Sequence, residues 1–319
     1  MSNKFYILSL DGGGFRGAYS AYLLKYMEEE WNIDWQAQFN LFAGTSTGAI
    51  IAAGLAHGQS ASSLYDLYAE EGQSIFKKRW FAKFDLLGFT SLFASSYSRK
   101  NLKICLQNIF GNTQLKDISV PLIIPSVDIG DGRVHVFKSA YDPEFHRDPK
   151  VRVADAVMAS CSAPTYFDPY VVGPYPLTDG GLWANNPAFV AAIDAKRRLG
   201  VDLCDLRILS IGTGKSKTCY GSTTGWFCKT FCGWGIATRW GRQKFINLIL
   251  NLQAESSHNM LNLLFQTKDN RDPDQLLRIN FASDKPLPMD DPRKLPDWTR
   301  EADQDFTHEG HKIKEFLAL

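Results

Sequence analysis

An α/β fold organised around a mainly parallel sheet is what this 319-residue chain predicts, and three observations carry that expectation. Strand-like and helix-like segments alternate through the first 60 residues, an order that makes successive strands run in parallel. The runs FYILSL, FNLFAG and RILSIG are apolar enough to form the middle of such a sheet. Glycines cluster where two of these runs end and helical spacing begins, at residues 11–17 and 44–48.

The first strand, residues 5–10, leads into a helix over about 17–31, and FNLFAG leads into a second helix from about 47 to 57. Leu64, Leu67, Tyr68, Ile75 and Phe76 then recur near helical spacing, as do Leu102, Leu106, Ile109 and Phe110, so both segments are expected to be core-facing helices. LIIPSVDIGDGRVHVFKS reads as two strands about a Gly-Asp-Gly turn at 130–132, with Asp131 as a turn residue. A helix over about 152–160, an irregular stretch, PLTDGGLWANNPAF at 176–189, a helix to about 199 and the strand RILSIG follow. GTGKS after that strand is no phosphate loop, because Leu209 stands where the pattern needs glycine. From 216, Trp226, Phe227, Phe231, Trp234 and Trp240 alternate with glycines in what reads as a lid. An amphipathic helix follows, with Phe245, Leu248, Leu252, Met260, Leu263 and Leu264 on one stripe. The four prolines of DKPLPMDDPRKLPDW mark a connector to a final helix bearing Phe306, Ile313, Phe316 and Leu317. The expected organisation is a core over 1–215 and a C-terminal cap of helices over 216–319 packed on the same domain.

Composition narrows the function. Forty-five per cent hydrophobic residues suit one large domain with a substantial core. Thirty-five basic against 34 acidic residues give a net charge of +1, which excludes the broad basic field that binding of a nucleic-acid polymer requires. The longest apolar stretches, such as AIIAAGLA, fall far short of the roughly 20 residues of a membrane span, and the first residues lack the order of a secretory signal. A soluble, cytoplasmic protein is the expectation. Six cysteines, at 105, 161, 204, 219, 228 and 232, lack CxxC spacing and suit reduced thiols.

Chemistry concentrates at the glycines. Gly12, Gly14 and Gly17 satisfy G-x-G-x-x-G after a strand and before a helix, the fingerprint of a dinucleotide site. Such a site also needs an acidic residue at the end of the second strand to take the ribose hydroxyl. That strand ends instead in Gly44-Thr45-Ser46-Thr47-Gly48, a G-x-S-x-G sequence in the strand, turn and helix context of a nucleophile elbow. Taken alone the pentapeptide is equally a Ser/Thr helix cap. Two turns at one sheet edge would bring the Gly12–Gly14 turn, with the N–H groups of Gly13 and Gly14, beside Ser46 as an oxyanion hole. Arg16 either stabilises negative charge there or locks the loop by pairing with Asp11. Downstream, His258, His308 and His311 have no supporting loop signal. Asp179 is better placed as a base, because Gly180 and Gly181 let backbones approach it closely, although Asp-Gly is also an ordinary turn. Three readings stay open at this point: a serine acyl hydrolase, an α/β-hydrolase esterase with a Ser-Asp-His triad, and a non-enzymatic nucleotide-binding module using residues 12–17. The triad reading suffers because its nucleophile normally follows several strands, and only FYILSL precedes the strand into Ser46.

DGGGFRG at 11–17, GTSTG at 44–48 and DGG at 179–181, in this order, resemble the patatin-like phospholipase family. The resemblance extends over residues 5 to about 215 and includes ASCSAPTYFDPY at 159–170. It implies a three-layer α/β/α fold and calcium-independent hydrolysis of the fatty acyl esters of membrane phospholipids, with no cofactor and no metal. It also implies Ser46 as nucleophile, Asp179 as base of a Ser-Asp dyad, Gly12, Gly13 and Gly14 as oxyanion hole, and Arg16, Gly44, Gly48, Gly180 and Gly181 in support. Asp-Gly-Gly stands where many relatives have Asp-Gly-Ala, and either small residue suits the close approach. A carboxylate of reference pKa about 3.9 is a weak base for an alcohol, so turnover leans on the oxyanion hole and on burial that raises that pKa.

Some bacterial members are antiphage effectors switched on by cyclic nucleotides, and this chain is similar to them in length and plan. That similarity implies a cyclic-nucleotide activator, with a site under residues 216–250 where Arg239, Arg242 and Lys244 are either available to phosphates or simply the solvated start of a helix. Membrane phospholipid as substrate implies peripheral contact with the inner membrane. KKRWFAKFDLLGFTSLF at 77–93 is either that contact or a basic helix C-terminus followed by a core-packed loop, and the Trp- and Phe-rich stretch at 226–240 is its rival. Cys219, Cys228 and Cys232 within or beside that stretch read as buried small side chains.

Overall fold

A computed structural model describes residues 4–75, 97–216, 240, 242–266, 274–285 and 287–319. The strands are β1 (Phe5–Leu10), β2 (Leu41–Gly44), β3 (Leu122–Asp128), β4 (Arg133–Lys138), β5 (Tyr170–Val172), β6 (Tyr175–Asp179), β7 (Leu206–Ile211), β8 (Lys215–Ser216), β9 (Leu276–Ile279) and β10 (Ala282–Ser283). The helices are α1 (Gly17–Trp31), α2 (Trp35–Gln38), α3 (Thr47–Ala56), α4 (Ala61–Ile75), α5 (Arg99–Phe110), α6 (Val153–Ser160), α7 (Gly181–Ala184), α8 (Ala188–Arg198), α9 (Arg242–Phe265) and α10 (Leu295–Leu317).

Successive side chains of a strand point to opposite faces, and both faces of this sheet are apolar. Ile7, Leu41, Ile123 and Ile208 face a core shared with α8 and with Leu261 and Phe265 of α9. Their neighbours Leu8, Phe42, Ile124 and Leu209 face a larger core built with α1, α3, α4, α5, α6 and α10. Three layers result, as expected. α3 is buried along its whole length, which explains why TGAIIAAGLA is apolar on every side.

The sheet order is β5-β6-β3-β2-β1-β7-β9, with β4 also paired to β3. Strands β1, β2, β3, β7 and β9 run parallel, while β4, β5 and β6 make antiparallel pairs. The β3–β4 connection is the hairpin predicted at Gly130–Gly132, with Gly132 at φ 66°.

One detail of register positions the site. Ile123 pairs with Ala43 of β2 on one edge and with Lys138 of β4 on the other, whereas Ser126 pairs with Asp179 of β6 and with His135 of β4. β6 therefore lies on the same edge of β3 as β2 and begins pairing where β2 has ended. The end of β6, Asp179, is thereby brought to the turn that leaves β2.

The C-terminal third departs from an all-helical cap. LLRI at 276–279 forms β9, which pairs in parallel with β7 and extends the main sheet; its four residues gave no alternating signal of their own. Pro296 belongs to the first turn of α10 rather than to the connector, a position where the missing N–H costs nothing. Of the lid expected from 216, residues 217–239 lie outside the described residues, as does the basic aromatic stretch at 77–93, while Ser216 ends β8. Cys105 and Cys161 are buried free thiols and Cys204 is an exposed one. Cys219, Cys228 and Cys232 are not among the described residues.

Candidate active site

Two strand-to-helix turns meet at the C-terminal ends of β1 and β2. In the second, Ser46 sits at φ 54° and ψ −122°, a conformation that L residues rarely adopt and that small neighbours make possible. Gly48 is one of those neighbours: a Cβ there would lie 2.3 Å from the Leu10 carbonyl oxygen, so only glycine lets α3 start so close to β1. The elbow is fixed on three sides. Thr45 N–H donates to Leu10 O at 3.1 Å, its hydroxyl donates to Ala184 O at 2.6 Å, and Ser46 N–H donates to Ser160 Oγ at 3.0 Å. Ser160 Oγ in turn donates to Pro125 O at 2.6 Å. Gly44 closes β2 just before the elbow.

In the first turn, Asp11 N–H donates to Ile211 O and Phe15 N–H to Met289 O at 2.8 Å. Gly12 N–H donates to Asn185 O at 3.0 Å, so it is committed, unlike the three-donor hole expected. Among the described residues, the N–H groups of Gly13 and Gly14 have no acceptor. Gly14 has φ +60°, and a Cβ there would lie 2.4 Å from Met289 O. A Cβ at Gly12 would lie 3.3 Å from Ser46 Cβ, which measures how closely the two turns approach.

Asp179, buried at the end of β6, accepts from Gly181 N–H at 2.7 Å. Gly180 starts the turn into α7, packed under the Pro125 carbonyl. Burial pushes the Asp179 carboxyl up to about 6, against the opposing pull of the Gly181 N–H that donates to it and of the nearby Ser46 hydroxyl. The Cys161 thiol shares this spot. Burial and the nearby Asp179 charge push its pKa well up, so it stays protonated beside Ser46. Among the described residues, no histidine hydrogen-bonds Ser46 or Asp179: His258 on α9 contacts Asn262 Nδ2 at 3.0 Å, and His308 and His311 lie on α10.

Arg16 takes neither of its two expected parts in simple form. Asp11 is claimed by Arg278, whose Nη1 donates to Asp11 Oδ1 at 2.8 Å and to Ser210 Oγ at 2.7 Å. Arg16 instead donates to Gly13 O at 3.2 Å and to Gly214 O at 3.4 Å. Its contact with Asp11 is electrostatic only, and burial lowers its pKa to about 10. Asp11, itself raised by burial, is pulled down by Arg278 first and Arg16 second. Arg278, Asn185 and Met289 escaped the sequence reading. Asn185-Asn186-Pro187 carried a turn signal, whereas Arg278 and Met289 carried none that pointed to residues 11–15.

An apolar cavity of about 60 Å³ opens on Ser46, walled by Phe15, Ile50, Tyr68, Leu102, Phe167 and Met289. A hydroxyl, a buried carboxylate and two free amides thus converge beside an apolar cavity. Such a set can attack an acyl carbon, accept a proton and hold an oxyanion.

The sequence matches the Patatin-like phospholipase family over residues 8–192. A cGAMP-activated phospholipase of Vibrio cholerae is 33% identical over 232 residues, 67% of this chain and 65% of that protein. One of Pseudomonas aeruginosa is 31% identical over 277 residues, 85% and 80% of the two chains. A cUMP-AMP-activated phospholipase of Escherichia coli is 32% identical over 213 residues, 65% of this chain and 64% of that protein. The aligned region thus spans just under two thirds of the Vibrio and Escherichia proteins. With its three motifs in order, its layered sheet and this family match over more than half its length, the chain belongs to the patatin-like phospholipases.

Proposed function

We propose that the chain hydrolyses fatty acyl esters of membrane phospholipids, releasing free fatty acid through a Ser46–Asp179 dyad. Ser46 Oγ attacks the ester carbonyl while Asp179 accepts its proton, and the N–H groups of Gly13 and Gly14 hold the oxyanion. Collapse of the intermediate returns the proton to the leaving alcohol, and water repeats the sequence on the acyl-enzyme. The helix dipole of α3 adds positive potential at Ser46. The observation that carries this reading is the pair of unsatisfied amides beside a serine held in a strained elbow. The carboxyl, raised to about 6, is a better base than an ordinary aspartate and is still ionised at neutral pH.

The acyl chain is assigned to the apolar cavity. At about 60 Å³ it is far below the roughly 300–1,000 Å³ of pockets that bury a drug-sized ligand, so its walls must part for substrate. A need for opening agrees with an activated enzyme, and relatives named for activation by cGAMP and cUMP-AMP support a cyclic-nucleotide activator and a part in antiphage defence. No described helix is long and apolar enough to cross a membrane, and the substrate is met by peripheral contact with the inner membrane.

Two measurements test this: fluorophosphonate labelling of Ser46, and mass spectrometry of products from mixed phospholipid liposomes with and without cyclic dinucleotides. Labelling together with free fatty acid and lysolipid is the expected result. An unlabelled Ser46 and intact lipid under every condition would overturn it.

A further inference from the structure

The apolar cavity beside Ser46 has one wall unlike the rest. Of the described side chains that line it, Leu67 on α4 alone is not buried. Its neighbour Tyr68 is tied through its hydroxyl to Thr47 Oγ1 at 2.5 Å. Phe15 is wedged against Gly72, where a Cβ would lie 2.3 Å from its ring. Leu67 packs only at the margin of the core, and a half-buried leucine changes rotamer at low cost. A fatty acyl chain needs more room than the about 60 Å³ found there, so the wall that yields most easily decides where the rest of the chain goes.

Leu67 also walls a second space. A groove of about 280 Å³ lies along the outside of the seam between α4 and α5 and shares that leucine. Adjacent residues of the two helices divide between the spaces: Gly72, Ile75 and Leu102 line the inner one, Glu71, Ser74 and Asn101 the outer one. One side chain therefore separates them. The polar groups of the groove are spent on one another, with Asn101 Nδ2 donating to Ser74 O at 2.6 Å and Ser74 Oγ to Glu71 Oε2 at 2.7 Å. The first of these bonds clasps the seam at the C-terminal end of α4, about two turns from Leu67. What remains is apolar: Ile104, 49% exposed, with Ile109 and Cys105. An apolar groove continuous with the cavity at the nucleophile, through one movable side chain, suits an apolar ligand that begins at Ser46.

We propose that Leu67 is the gate of an acyl passage: the chain runs from the cavity at Ser46 past this side chain into the groove between α4 and α5, and the passage selects long, unbranched chains. The inference rests on the acyl-hydrolase reading and adds to it the residue that sets chain length. An opening one leucine wide between two packed helices admits a polymethylene chain and stops a ring or a branch. Each methylene taken out of water is worth roughly fourfold in binding. Chains that reach the groove therefore gain over chains that end in the inner cavity, and the side chain at position 67 decides how many methylenes cross.

The test uses the full chain and two fluorophosphonates that differ only in their alkyl chain, butyl and hexadecyl, presented in the same detergent micelles. Ser46 Oγ displaces fluoride from either reagent, so the ratio of the two labelling rates, hexadecyl over butyl, reads the passage without requiring turnover. Leu67→Trp, which plugs the gate, is expected to lower that ratio at least tenfold, and Leu67→Ala to raise it severalfold. Ile104→Asp, at an exposed position outside the inner cavity, puts a charge in the groove and is expected to lower the ratio at least threefold. A ratio within twofold of the parent's in Leu67→Trp or in Ile104→Asp overturns the passage. The failures stay distinguishable: Ser46 labelled by the butyl reagent with an unmoved ratio leaves the hydrolase reading standing, whereas a serine that reacts with neither reagent removes that reading and the passage with it.

Discussion

The turn that carries Ser46 and the turn that carries Gly13 and Gly14 are built in opposite ways. Ser46 is held in its conformation by Gly44, Thr45 and Gly48, its immediate neighbours, and by bonds from Thr45 and Ser46 to β1, α6 and α7. The Gly12–Gly14 turn is held by Asn185, Thr213, Arg278 and Met289, residues at least 170 positions away in the chain. The elbow is thus announced by five consecutive residues, although Ser160 and Ala184 brace it, while the proposed oxyanion turn has no such local signature and depends on partners from across the chain. Loss of Arg278 or Met289 should then harm the second turn and spare the first.

The largest effect sharpens the first half of that comparison. Ser46→Ala is expected to lower acyl release by roughly 10⁴-fold or more while leaving the melting temperature within about a degree of the parent; a residual rate above a hundredth of the parent would break it. Arg278→Met leaves Asp11 buried without its partner, and about 3–5 kcal/mol of stability should be lost, read from urea unfolding. Restoring most of that loss with Asp11→Asn in the same chain would identify the stranded carboxylate as its cause. Gly14→Ala must abandon φ +60° and collides with Met289 O. A loss of roughly 10²–10³ in kcat is expected, with KM little changed, because the donors serve the transition state.

The smallest effect concerns Asp179. Its carboxylate must be ionised to act, so activity should fall as pH drops through about 6, roughly tenfold by one pH unit lower. The stability consequence has the opposite sign. A carboxyl raised to about 6 in the fold from 3.8 holds its proton more tightly when folded. Its ionisation therefore costs nothing below the unfolded value, grows between the two, and is complete above the folded one, on the order of 3 kcal/mol. Asp179→Asn should be inactive and more stable than the parent at pH 8, with the two melting temperatures converging by pH 4. A profile flat from pH 5 to 8 would separate Asp179 from the proton transfer.

What could be read in the sequence follows the same division. Strands with apolar runs, helices with long periodic stripes and the hairpin at Gly130–Gly132 announce themselves locally, and so does the elbow around Ser46. Asp179 was legible as a residue between structure-breaking neighbours, but its nearness to Ser46 depends on β6 taking over the edge of β3 that β2 vacates, a matter of sheet register. β9 was missed because four residues are too few for a pattern. Arg16 was misjudged in its pairing because its rival Arg278 is more than 260 residues away, and no local rule ranks two arginines for one carboxylate.

Arg278 and Met289 also bear on the timing of biosynthesis. Synthesis runs from the N-terminus, so the serine elbow and its acid can form while the residues that brace the oxyanion turn are still to be made. A nascent chain that has not yet reached Met289 would hold the elbow while the Gly12–Gly14 turn still lacks its braces, and the proposed hydrolysis would have to wait for them.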